Sequence, residues 1–222
     1  TDLLDLYAVG GASYGAHESQ SRLWENLVGR SRVFWQRHFA RLREVFHTQL
    51  ADVDAETFYR AINRVRPSLI RTEADEVTYN LHIVLRYELE LLLLSGQLSV
   101  DELPAVWNER CHAMFGLRPD GAREGCLHDV HWALGSFGYF PTYTLGNLYS
   151  VQFYEQAKVE IPHLEDEIAA GQLMVLQRWL GQKIHRWGRM FTPDHLAQRV
   201  TGKSLDPEPF LTYVEKKYGE LY

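Results

Sequence analysis

Acid, base and imidazole crowd into one short stretch of this chain, Tyr14-Gly15-Ala16-His17-Glu18-Ser19-Gln20-Ser21-Arg22-Leu23-Trp24-Glu25-Asn26. On a helix, residues three and four apart share a face, so Glu18, Arg22 and Glu25 line one side while Leu23, Leu27 and the Trp24 ring look elsewhere. That side is a candidate polar site. The same residues also read as a solvated first turn, with Glu18 favoured by the helix dipole and Ser19 or Ser21 as the cap. A second candidate is the His128-x-x-His131 pair. That spacing binds metal on a helix, but here it lacks a nearby third ligand.

The elements that must position these residues are helical. Thr1 to Val9 carries leucines among acids and breaks at Gly10-Gly11, a short helical start. One helix is expected from His17 to about Val28 and a second from about Ser31 to Leu50, on the stripe Val33, Phe34, Phe39, Leu42, Val45, Phe46 and Leu50. Asp54 opens a third, which ends before Pro67. Ser68 to Arg71 reads as extended, with Thr72 capping the next helix and Asp75 three residues on. That helix is long and runs from Glu73 to about Ser95, with Ala74, Val77, Leu81, Val84, Leu85, Leu89 and Leu92 as its core flank and Glu76, Arg86 and Glu90 wet. Asp101 to Phe115 is another helix, and His128 to Tyr143 is an aromatic-rich stretch without a clean period, suited to the wall of a cleft. Further helices are expected over Thr142–Glu160, Leu164–Ala170, Gln172–Trp187, Pro193–Thr201 and Pro207–Tyr218. No strand pair is expected, so the fold class is mainly α.

Composition narrows the function classes. The 222 residues suit one large domain, with 45% hydrophobic and 23% charged residues as in ordinary soluble proteins. A formal net charge of −6 argues against non-specific nucleic-acid binding. Cys111 and Cys126 are too few for a disulfide framework, which points to a reducing cytoplasm. The apolar run from Leu89 to Leu94 is interrupted by Glu90 and far short of the roughly 20 residues of a membrane span.

Three stretches together resemble one family. His17-Glu18-Ser19-Gln20-Ser21-Arg22 is similar to the HESQSR signature of the thermostable carboxypeptidases (carboxypeptidase Taq), zinc exopeptidases that remove C-terminal residues from peptides. Ile70-Arg71-Thr72-Glu73-Ala74-Asp75 resembles that family's IRxxAD motif, and Gly125-Cys126-Leu127-His128-Asp129-Val130-His131-Trp132 its GxxQDxHW motif, with His128 where the family has glutamine. The resemblance runs from about Gly15 to the C-terminus and leaves residues 1–14 as a poorly matched lead-in. The family binds zinc through an H-E-x-x-H helix upstream of the HESQSR glutamate, and no H-E-x-x-H occurs among the ten histidines here. The resemblance therefore implies a single helical domain that forms the C-terminal portion of the enzyme, a multi-helix array lining a deep substrate groove.

It also implies roles. Glu18 corresponds to the third zinc ligand, and with the other ligands absent the chain alone is expected to hold no zinc, or other divalent metal, and to have no activity. Arg71 is the candidate for gripping the substrate's terminal carboxylate with two parallel hydrogen bonds; a salt bridge to Glu73 or Asp75 is the competing reading. Arg22 is a candidate for the same task or for orienting Glu18. His131 and Tyr143, with Tyr139 as the alternative to Tyr143, are candidates to donate to the carbonyl oxyanion or the peptide carboxylate, against a reading in which these rings are core. Two functions result: a zinc metallocarboxypeptidase portion acting on peptides, or a non-catalytic helical module that binds peptides or oligomerises on the same scaffold. The family's homodimers imply a homo-oligomer, with contact expected at apolar helix faces around Trp24, Trp132 and Leu89 to Leu94.

Overall fold

The computed structural model describes residues 10–222 of the chain. The short helical start expected over Thr1 to Val9 lies outside them. Among the described residues there are helices and turns and no strand, so the mainly α class holds. The chain forms two compact units, Thr1–Asn63 with Leu145–Tyr222, and Arg64–Thr144.

In the first unit, α1 (Tyr14–Arg22) is capped by Ser13, whose side chain accepts from Ala16 N–H, in place of the expected Ser19 or Ser21. Ser19 is instead fully buried, its hydroxyl turned back to the Ala16 carbonyl at 2.6 Å. The helix then widens into a π-helical stretch, Leu23–Val28, closed by Gly29 N–H on the Trp24 carbonyl at 2.8 Å. Such a wide turn commonly marks a functional place. α2 (Arg32–Val45) stops short of Leu50, with Phe39 buried but Val45 and Phe46 exposed, and it packs on α3 (Ala55–Ile62). After the second unit the chain returns through α6 (Pro141–Glu160), α7 (Leu164–Ala169), α8 (Met174–Lys183), α9 (Pro193–Thr201) and α10 (Glu208–Gly219). Their apolar faces close a core that includes Leu23, Phe153, Ala157, Ile168, Leu176 and Leu180.

The second unit holds α4 (Tyr79–Leu94) and α5 (Leu103–Phe115), packed on each other, and then the turn-rich aromatic stretch. α4 starts six residues later than expected. Asp75 explains this: its carboxylate accepts from the backbone N–H groups of Arg66, Val77 and Thr78 and from the Thr78 hydroxyl, at 2.8–3.0 Å. The chain is thereby pinned as a turn, with Ala74 extended, before helix begins.

The face that α4 buries also differs from the expected one. Arg86 and Glu90, expected to stay wet, are 1% and 2% exposed, and Glu76 is buried too, while Leu81 and Val84, expected in the core, face out. The inward face carries His82, Arg86 and Glu90 beside Ile83, Leu85 and Leu89. Arg86 and Glu90 each have fixed partners there, which is the condition for burying a charge.

Candidate active site

The second unit gathers residues that lie far apart in sequence. A 3₁₀ turn at Arg71–Glu73 aims Arg71 inward, where it is 5% exposed. Its Nε and Nη2 donate to the Asp129 carboxylate at 3.1 and 2.7 Å, side-on, and Nη1 donates to the Tyr79 hydroxyl at 2.9 Å. Arg86 Nε reaches the other oxygen of Asp129 at 2.7 Å, and its Nη1 donates to the His82 carbonyl at 3.0 Å. One carboxylate thus sits between two guanidiniums. Asp129, to which sequence reading gave no role, is the centre of the cluster, and it replaces Glu73 or Asp75 as the partner of Arg71.

The electrostatics follow from that arrangement. Burial raises the Asp129 carboxyl pKa, but the Arg71 hydrogen bond and the charges of Arg86 and Arg71 outweigh it and bring the value down to about 2. Burial works against the Arg71 cation as well, and there the Asp129 hydrogen bond wins, so its pKa is raised. Arg86 is more deeply buried. Its desolvation outweighs the same carboxylate, and its pKa is lowered. His82 is pushed down to about 4 by burial and then by the charges of Arg86 and Arg71, so it is neutral at pH 7.

His131, Tyr139 and Tyr143 close over this cluster. His131 Nε2 meets the Tyr143 hydroxyl at 3.1 Å, and its ring lies 5.3 Å from that of Tyr139 and 4.4 Å from that of Phe140. Its Nδ1 is buried, 3.9 Å from Asp129 Oδ1 and without a hydrogen-bond partner. Burial lowers the His131 pKa, and the two arginines lower it further against the pull of Asp129. The Arg71 guanidinium carbon stands 4.8 Å from the centre of the Tyr143 ring. Glu90 anchors the loop that presents these rings, accepting from Trp132 Nε1 at 2.7 Å and Gly138 N–H at 3.1 Å. Four of the sequence candidates, Arg71, His131, Tyr139 and Tyr143, therefore converge in one place.

Glu18 and Arg22 belong to the other unit. Arg22 Nε donates to Glu18 Oε1 at 2.8 Å and its Nη1 to Glu25 at 3.0 Å, so the shared helix face expected from the spacing is present. α6 crosses this face at Gly146, where a Cβ would lie 2.7 Å from both Cβ and Cγ of Glu18. Only glycine lets the two helices approach this closely.

A sequence profile of the carboxypeptidase Taq (M32) metallopeptidase family matches residues 1–218. The chain belongs to that family. The match takes in the lead-in that the three motifs leave outside. Thermostable carboxypeptidase 1 of Thermus thermophilus is 54% identical over 210 residues, 95% of this chain and 41% of that protein. Thermostable carboxypeptidase 1 of Pyrococcus furiosus is 44% identical over 94% of this chain and 42% of its own length. Among solved structures, the M32 carboxypeptidase from Deinococcus radiodurans R1 superposes with a TM-score of 0.92 at 49% identity, covering 96% of this chain and 43% of that one. The chain thus spans about two-fifths of the length of these M32 relatives.

A metallopeptidase needs a set of metal ligands. Among the described residues no group of three or more histidine, cysteine or acidic side chains is placed to hold an ion. Glu18 is a chemically suitable single ligand, with Arg22 on one of its oxygens. In the other unit, Nε2 of His131 is engaged by Tyr143. These residues do not by themselves compose a metal centre.

Proposed function

We propose that this M32 chain is the substrate-binding portion of a zinc-dependent metallocarboxypeptidase that hydrolyses the C-terminal peptide bond of peptides. The observation that carries the reading is the convergence of Arg71 and His131, from two separate motifs, with Tyr139 and Tyr143 of the aromatic stretch, around one largely buried carboxylate. Asp129 holds the Nε/Nη2 edge of Arg71 and Tyr79 takes one N–H of Nη1; in this reading the second N–H groups of Nη1 and Nη2 receive the terminal carboxylate end-on. Because Arg71 is fixed before substrate arrives, little side-chain entropy is lost on binding. Tyr143 and the neutral His131 donate to the carboxylate or to the carbonyl oxygen, where charge develops, and Tyr139 packs beside them as a wall.

Glu18 is proposed as one ligand of zinc or another divalent metal, oriented by Arg22, with the remaining ligands supplied from outside this stretch. A metal so held would lower the pKa of a bound water to about 7, generating the nucleophile. The proposal extends to a homo-oligomer in a reducing cytoplasm, where the buried thiols of Cys111 and Cys126 stay free. No helix among the described residues is long and apolar enough to cross a membrane.

The test is complementation. The 222-residue chain alone should carry no stoichiometric zinc and release no C-terminal residue. Supplied with a polypeptide bearing an H-E-x-x-H helix, it should gain both. Glu18→Gln should then weaken zinc binding, since an amide is a poor ligand, and Arg71→Lys should raise KM more than it lowers kcat. Complementation with unchanged zinc affinity in the Glu18→Gln variant would refute the ligand assignment, and peptide binding without any hydrolysis would favour the non-catalytic alternative.

A further inference from the structure

A concavity lies wholly within the Thr1–Asn63/Leu145–Tyr222 unit, with a volume of about 610 Å³. That is the size range of small-molecule sites. Its floor is apolar, built from Ala12, Ala16, Ile184 and Leu196. Trp187 forms a wall whose ring is fixed by two cations, Arg186 at 4.7 Å and Arg199 at 4.3 Å from its centre. A third guanidinium, that of Arg189, borders the mouth, where its Nε would be 2.9 Å from a Cβ placed on Gly10.

The polar groups in this cavity are few, and they are one-sided in charge. His185 Nε2 and Gln20 Oε1 are 2.8 Å apart. None of the described residues lining the cavity is acidic, while Arg186 lines it and Arg189 borders it. An apolar chamber with cationic edges and no carboxylate selects against ammonium groups, and its apolar floor favours a ligand with one charged end.

We propose that this cavity binds a small apolar monocarboxylate, an aromatic or branched aliphatic acid, with its body against Trp187 and the floor and its carboxylate toward Arg186. A free amino acid fits less well, because its ammonium would be buried opposite guanidiniums with no acid to meet it. The site uses neither Glu18 nor the Arg71 cluster. It therefore stands or falls independently of the peptidase function.

Three isosteric probes test it by calorimetry on the 222-residue chain: phenylacetate, phenylacetamide and phenethylamine. Phenylacetate should bind at least about tenfold more tightly than either of the others. Arg186→Gln should erase that preference while leaving phenylacetamide binding in place. Met190→Asp, at the exposed mouth of the cavity, should weaken phenylacetate by about tenfold and favour phenethylamine. Both positions are exposed, so circular dichroism should show an unchanged fold. Equal binding of the three probes, no saturable binding of any, or an Arg186→Gln or Met190→Asp chain with the parent preference would overturn the proposal.

Discussion

Asp129→Asn removes the charge that two buried guanidiniums share while keeping the shape of the side chain. In the native chain the carboxyl pKa falls from 3.8 to about 2. At about 1.4 kcal/mol per unit, that shift corresponds to about 2–3 kcal/mol of stability at neutral pH. The folded value lies below the unfolded one, so this stability is present above about pH 4 and drains away as pH falls toward 2. In the variant, Arg71 and Arg86 face each other across a neutral amide, and the cost of uncompensated buried charge adds to the loss, bringing the expected total to about 3–5 kcal/mol. Urea unfolding, monitored by the near-UV signal of Trp107 and Trp132 in this unit, measures it. The parent should exceed the variant by that amount at pH 7, and the gap should narrow between about pH 4 and pH 2. A variant within about 0.5 kcal/mol of the parent at pH 7, or a gap that ignores pH over that range, would show that Asp129 does not hold the two arginines.

Two further outcomes are expected. Gly146→Ala places a Cβ against Cβ and Cγ of Glu18 and should cost about 1–3 kcal/mol in urea unfolding by forcing α1 and α6 apart; a cost within about 0.5 kcal/mol would mean the helices separate freely there. α4 exposes Val84, Tyr87, Leu91 and Leu94 at helical spacing, the last two 50% and 65% exposed, so the chain should self-associate, and Leu91→Lys with Leu94→Lys should shift it to monomer in sedimentation velocity. A parent chain already monomeric at tens of micromolar would refute that.

Much of the fold is legible in the sequence because helices announce themselves by period and punctuation. Gly116 and Gly202 end α5 and α9 in the left-handed conformation, and Pro193 opens α9. The convergence of Arg71 with His131, Tyr139 and Tyr143 is legible too, but only through motif resemblance, since no local pattern links residue 71 to residue 131. The orientation of α4 is legible only in part: Leu85 and Leu89 are buried as expected, while Leu81 and Val84, expected beside them, face out. Leucines and valines occupy both flanks of that helix, so period alone supports either rotation. Within the run from Leu89 to Leu94, Leu89 is fully buried as its place in the core flank predicts, while Leu91 and Leu94 are out.

Pairing at long range decides the rotation. Arg86 finds Asp129 from 43 positions away, and Glu90 finds Trp132 and Gly138 from 42 and 48. A charge left unpaired in this interior costs more than the exposure of a leucine, so the helix turns its charges inward once those partners are in place. The exposed stripe is the consequence. Burying Arg86 and Glu90 turns Val84, Tyr87, Leu91 and Leu94 toward solvent, because they lie on the opposite face of the same helix. The buried cluster that fixes Arg71 and the apolar surface expected to drive self-association are two sides of one rotation. A variant that unpairs Arg86 therefore puts both at risk together.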